Sequence, residues 1–188
     1  MSSQSDRKSH PTPAALALAQ EIVALERHVA SAGWEGPIRV FALVYTAQAL
    51  KDTPSLAEEI PSESLQAAQH DPYTLLAIEQ EDLPQAPNLE TLLASLAWPE
   101  TVHGVAVSVE QFVVPPSATD GLPTDPNQQV ELLLNHPQRE DVRIVAGVLR
   151  TGERWCALRY RSHDFDDQVA QSSDAVPGLL NGLKATLE

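Results

Sequence analysis

The hydrophobic residues of this chain recur with two different periods, and each period predicts one kind of element. Near the N-terminus the spacing is four, three and four residues, which is typical of one face of an α-helix. That face carries Leu18, Ile22, Leu25 and Val29. Neighbouring Leu16, Ala19 and Val23 widen the apolar face, so we expect this helix to be buried over much of its girth. Gly33 supplies the left-handed residue at which helices commonly end.

Runs rich in β-branched and aromatic residues predict the strands. Residues 38–46 show little alternation, so we expect a central strand that is covered on both faces. Residues 102–114 alternate valines with smaller or polar residues, which is the clearest strand pattern in the chain. Residues 142–150 and 154–161 flank a three-residue turn that contains Gly152. This arrangement is typical of a β-hairpin.

The intervening segments are mostly helical in pattern. Proline positions, capping residues and apolar spacing predict helices over 54–60, 62–69, 89–97 and 126–135. The same signals predict a last helix that is capped by Asp174 and extends to Leu187. In the 126–135 helix we expect Val130, Leu133 and Leu134 to face inward. The short run 73–80 is compatible with a strand or a helix, and we favour a strand because prolines flank it closely.

Together these elements predict an α+β fold. Because the closing hairpin must be antiparallel, we expect one mainly antiparallel or mixed sheet of four or five strands, covered by helices, with a helix after the hairpin. Residues 1–10 are polar and lack periodicity, so we predict a disordered tail there. Residues 11–188 then form a single domain, a size that is ordinary for one.

Composition narrows the possible partners and compartments. The 188 residues include 26 acids and 12 bases, for a formal net charge of −14. Such a field repels nucleic acid and anionic lipid and favours a basic partner, so we expect neither a nucleic-acid nor a membrane partner. A single cysteine excludes an intramolecular disulfide. No signal peptide or apolar run of about 20 residues is evident, and we therefore predict a cytoplasmic protein.

The densest group of metal-ligand side chains follows the hairpin. His163, Asp164, Asp166 and Asp167 offer nitrogen and oxygen ligands to a cation. The pattern lacks the glycine and closing glutamate of an EF-hand loop, and a solvated acidic loop is the alternative interpretation. No catalytic constellation and no phosphate-binding glycine loop is present, so no cofactor is indicated and catalytic residues are not assigned.

The second hairpin strand suggests a binding patch. Its alternation puts Cys156, Leu158 and Tyr160 on one face, which we expect to be the core face. Trp155, Arg159 and Arg161 lie on the other face, expected to point outward, where they would bind a carboxylate or phosphate with the indole as a stacking surface. Pairing of these arginines with the many acids of the chain is the alternative.

Short motifs distributed along the chain carry a family resemblance. They are LAWPETVHGVAV at 96–107, VVPP at 113–116, HP at 136–137, DVR at 141–143, GVLR at 147–150, CALR at 156–159, RSHD at 161–164 and VPGLL at 176–180. In these motifs the chain resembles an uncharacterised family of actinobacterial proteins. The resemblance implies an intracellular protein of unknown function, and it transfers no catalytic or binding residues.

Three functional hypotheses follow. The first is a non-enzymatic protein-binding or adaptor protein, since a catalytic constellation is lacking and the Trp155/Arg159/Arg161 patch is available. The second is a metal-dependent or small-molecule enzyme that uses the 155–167 segment, with His163 and Asp164 beside the arginines. The third is a structural homodimer through the first or last helix, in which Gly178 and Gly182 would permit close packing.

Overall fold

The computed structural model of the protein describes residues 10–188. The tail predicted over 1–10 therefore lies outside the described residues, except for its last position. The first helix, α1 (Pro13–Ala30), begins where the Thr12 hydroxyl accepts a hydrogen bond from the Ala15 amide, a typical N-cap. It is followed by Gly33 at a φ of 85°, which confirms the predicted left-handed residue.

Six strands form one open sheet. They are β1 (Arg39–Tyr45), β2 (Leu75–Glu79), β3 (Gly104–Val113), β4 (Glu140–Leu149), β5 (Arg154–Tyr160) and β6 (Ala170–Ser172). Their order across the sheet is β2-β1-β3-β4-β5-β6, and every neighbouring pair is antiparallel. The hairpin and the strand at 73–80 are confirmed. The expected count of four or five strands was too low, because the three-residue β6 carries no apolar pattern.

Five further helices connect or cover the strands. They are α2 (Thr46–Asp52), α3 (Ser62–His70), α4 (Leu89–Ala94), α5 (Pro126–Leu134) and α6 (Pro177–Thr186). The first of these was not predicted, and residues 54–58 form a 3₁₀ helix instead of an α-helix. The predicted cap Asp174 is wrong, since α6 begins at Pro177 and the Asp174 carboxylate pairs with Arg154.

The inward face predicted for α5 is also wrong. Val130 is 53% exposed and Leu134 is 39% exposed, because this helix lies in a long excursion between β3 and β4 and buries none of its residues. Likewise Leu16 on α1 is half exposed, so the apolar face of that helix is narrower than expected.

Helices cover both faces of the sheet. On one face α1 packs over Phe41, Ala106, Val145 and Ala157. On the other face α4 and α6 pack over Val40, Val107, Ile144 and Cys156. The product is an α+β fold whose central strands are buried on both sides, which explains why β1 and β4 are nearly continuously apolar. Among the helices of residues 10–188, none combines the length and hydropathy required to cross a bilayer.

Candidate functional site

The arginine face of β5 is covered by α1. Cys156 is fully buried on the opposite face, as predicted, and burial raises the pKa of its thiol. Arg159, however, is only 3% exposed, so the expectation that it points to solvent is wrong. Alternation correctly identified which side chains share a face, but both faces of this strand pack against helices.

Arg159 is the centre of a buried ion cluster. Its Nε lies 2.5 Å from Glu26 Oε1 and its Nη2 lies 2.8 Å from Glu26 Oε2, which is a bidentate pair. The same guanidinium also donates to Asp164 at 3.1 Å and to Asp166 at 2.6 Å. Hydrogen bonding to Glu26, more than any other cause, raises the pKa of Arg159. The cluster therefore joins α1 to the segment that follows β5.

Trp34 extends this cluster toward the surface. Its indole Nε1 donates to Asp164 Oδ2 at 2.9 Å, and this hydrogen bond is the main reason that the pKa of Asp164 is lowered. The guanidinium carbon of Arg143 lies 4.3 Å from the indole centroid and that of Arg161 lies 5.6 Å from it. Cation–π contacts of this kind favour a fixed ring position, so Trp34 holds the loop after α1 against the sheet.

The other predicted site residues lie apart from one another. Trp155 packs on the α1 face and donates to Gln171 at 3.2 Å, while Arg161 contacts Glu35 and Asp141 at the surface. His163 is exposed beside the Ser162 hydroxyl, and Asp167 is exposed as well. Within residues 10–188, no group of three or more potential ligand side chains is arranged to hold a metal ion.

The alternative interpretation, that these arginines pair with acids of the chain, is confirmed for Arg159 with Asp164 and Asp166, but sequence reasoning missed its main partner, Glu26. Glu26 follows Ile22 by four residues, so it occupies the apolar face of α1. A carboxylate in that position signals a buried ionic partner, because unpaired charges are almost never buried. The identity of that partner had no local signal, since Glu26 and Arg159 are 133 residues apart in the chain.

A separate concave surface lies between α4 and α6. This groove has a volume of about 570 Å³, within the range of roughly 300–1,000 Å³ that is common for ligand sites. One wall is formed by Leu89, Glu90 and Leu93, the other by Gly178, Leu179 and Gly182, with Gln111 of β3 at the base. The lining is mainly apolar, and Glu90 is the charged residue in it.

The groove is held open by fixed contacts at one end. Trp98 donates through its indole to the Thr186 hydroxyl at 3.1 Å, and Thr186 also lines the groove. Arg150 donates to the backbone carbonyls of Trp98, Pro99 and Val102 and to that of Leu187 after α6. Because these contacts tie the end of α6 to the chain after α4, the two walls are pre-organised.

The two glycines of α6 have different surroundings. A Cβ added at Gly182 would lie 3.4 Å from the Leu93 side chain, an ordinary packing distance between α6 and α4. A Cβ added at Gly178 would meet no atom within 4 Å, so close packing does not require glycine there. Gly178 instead leaves part of the groove empty.

Fold and groove define an α+β protein with an antiparallel sheet between helical layers and a pre-organised apolar groove beside its last helix. The chain belongs to the PPA1309-like protein family, whose family model matches residues 18–188. This match confirms the resemblance to a protein family noted in the sequence. No curated protein matches the chain, and no solved structure matches it.

Proposed function

We propose that this chain is a non-enzymatic, cytoplasmic protein-binding protein and that the groove between α4 and α6 is its binding site. The observation that carries the proposal is the groove itself, which is apolar, open and already formed. Buried anchors hold both helices in place: Leu92 and Leu93 on α4, and Leu180 and Leu183 on α6. Well-packed apolar pockets of this kind accept the side chains that dominate binding energy at protein interfaces.

The Trp155/Arg159/Arg161 patch has less support as a binding surface. Four of the five N–H donors of Arg159 are used by Glu26, Asp164 and Asp166, so it has little capacity for an external anion. An enzyme site at 155–167 also has less support, because the carboxylates of Asp164 and Asp166 already pair with Arg159.

Filling the groove tests the proposal. In Gly178→Phe the new side chain would occupy the empty volume, while Gly36→Phe places the same side chain at a loop glycine that also has no neighbouring atom within 4 Å. Wild type and both variants are used to capture partners from native cytosol at physiological salt. We expect a stoichiometric partner that is retained by wild type and Gly36→Phe and lost by Gly178→Phe.

Two results contradict this assignment. If no stoichiometric protein is captured, the protein-binding function is wrong. If Gly178→Phe captures the same partner equally well, the groove is not the site. Circular dichroism and thermal melting confirm that each variant is folded before capture.

A further inference from the structure

Charge is divided very unequally along this chain. Residues 52–138 contain fourteen Asp or Glu and no Lys or Arg. This segment includes α4 and the part of β3 that form one wall and the base of the groove. The rest of the chain has twelve acids and twelve bases, so the formal net charge of −14 arises from this segment.

Most of that acidic charge is not neutralised internally. Within residues 10–188, Glu79 pairs with Arg39 and Glu110 pairs with Arg143, and the other twelve carboxylates of 52–138 form no ion pair. Glu90 is exposed and lines the groove. The residues that line the groove, all in the described part of the chain, include no Lys or Arg.

The basic side chains near the sheet are already engaged. Arg143, Arg154 and Arg159 pair with carboxylates, and Arg150 donates to four backbone carbonyls. Lys184 of α6 donates to the Arg150 carbonyl at 3.1 Å. These cations are engaged in internal contacts, and Glu90 is the charged side chain that lines the groove.

We infer that the occupant of the groove is a short basic amphipathic helix of a partner protein, an inference that rests on the proposed function. Its apolar residues, spaced as i, i+3 or i+4 and i+7, would fill the groove between α4 and α6. Its Lys or Arg residues would pair with Glu90 at the groove and would be attracted at longer range by the net negative charge of 52–138. A second copy of this chain fits less well, since two chains of net charge −14 repel each other.

The dimensions of the walls limit the length of the occupant. The ten residues of α6 span about 15 Å at 1.5 Å per residue. A helix of two to three turns therefore covers the groove. Charged residues of the partner that extend past the groove would increase the association rate more than they would add contacts.

Two synthetic peptides test the chemistry of the occupant. Both are helices of about four turns, roughly 20 Å long, with the same leucine positions. One carries lysine and the other glutamate at every polar position. Binding is measured by fluorescence anisotropy with the full chain and with Gly36→Phe, Gly178→Phe and the exposed-residue variant Glu90→Lys.

The lysine peptide is expected to bind wild type and Gly36→Phe equally, and to bind more weakly as salt is raised. Gly178→Phe should weaken binding by at least about tenfold, and the glutamate peptide should bind wild type at least about tenfold more weakly than the lysine peptide. Glu90→Lys should weaken binding of the lysine peptide and strengthen binding of the glutamate peptide. This reversal does not depend on whether Gly178→Phe folds.

Each contrary result has a distinct meaning. Equal binding of the two peptides, both lost in Gly178→Phe, overturns the basic occupant and leaves the groove as a protein-binding site. Binding of the lysine peptide that is unchanged by both Gly178→Phe and Glu90→Lys lies outside the groove and overturns the inference. If neither peptide binds, the inference is also overturned. The proposed function is instead contradicted in the cytosolic capture, by the absence of a stoichiometric partner or by equal capture with Gly178→Phe.

Discussion

Two bidentate arginine–glutamate pairs in this protein differ strongly in burial, and the buried arginine, Arg159, also donates to Asp164 and Asp166. Arg159 and Glu26 are 3% and 1% exposed, whereas Arg39 and Glu79 are 19% and 40% exposed. Both pairs join two nitrogens to two carboxylate oxygens, at 2.5 and 2.8 Å in the buried pair and at 2.7 and 2.6 Å in the surface pair. The perturbation is methionine in place of each arginine, which keeps a long apolar side chain.

The expected costs follow from solvation. Arg159→Met leaves the Glu26 carboxyl group buried without its partner, and breaking a buried pair in this way costs about 3–5 kcal/mol. Arg39→Met leaves Glu79 in contact with solvent, and exposed pairs contribute about 0–1 kcal/mol. For a chain of this length, the buried variant should melt on the order of 10 °C lower than wild type.

Urea unfolding followed by circular dichroism measures both variants. A double variant, Glu26→Leu with Arg159→Met, removes both buried charges, and we expect it to be more stable than Arg159→Met alone, since an apolar replacement of a buried pair is often neutral. The reasoning is refuted if Arg159→Met costs no more than Arg39→Met. It is also refuted if the double variant is as unstable as Arg159→Met.

Three further predictions use other positions. Gly178→Ala should raise the free energy of unfolding by up to about 1 kcal/mol, because alanine has the higher helix propensity. Gly104→Ala should lower the free energy of unfolding, because the added Cβ would lie 2.5 Å from a backbone oxygen. Urea unfolding of the two variants measures both changes. Burial raises the pKa of Glu21 from 4.5 to about 7, so this group destabilises the fold increasingly as pH rises through that interval. Glu21→Gln should therefore be more stable than wild type at pH 8 and equally stable at pH 4, and no gain at pH 8 would contradict this. The Cys156 thiol should react with a thiol reagent only at the rate of unfolding, and immediate labelling of the native protein would contradict its burial.

Local patterns predicted the elements whose signals are strong and contained within one segment. The stripe on α1, the apolar run of β1 and the hairpin β4–β5 are all present, because each pattern reflects burial on a definite face. The missed elements lack such a pattern. Strand β6 is exposed at two of its three positions, and α2 buries only Thr46.

The orientation of Arg159 shows a different limit of sequence reasoning. Alternation states which side chains share a face of a strand, but it does not state what covers that face. The choice between solvent and core for the arginine face depended on α1, which begins more than one hundred residues earlier in the chain. The same limit applies to the groove, because α4 and α6 meet only through folding and neither helix alone contains a concave surface.

The burial of the arginines also has a consequence for binding. Two of the chain's few cations, Arg143 and Arg159, pair with carboxylates that approach the core, Glu110 and Glu26. Cations buried in these pairs do not neutralise surface carboxylates, and twelve of the fourteen carboxylates of 52–138 form no ion pair within residues 10–188. The basic occupant inferred for the groove would supply the positive charge that these internal pairs withhold from the surface.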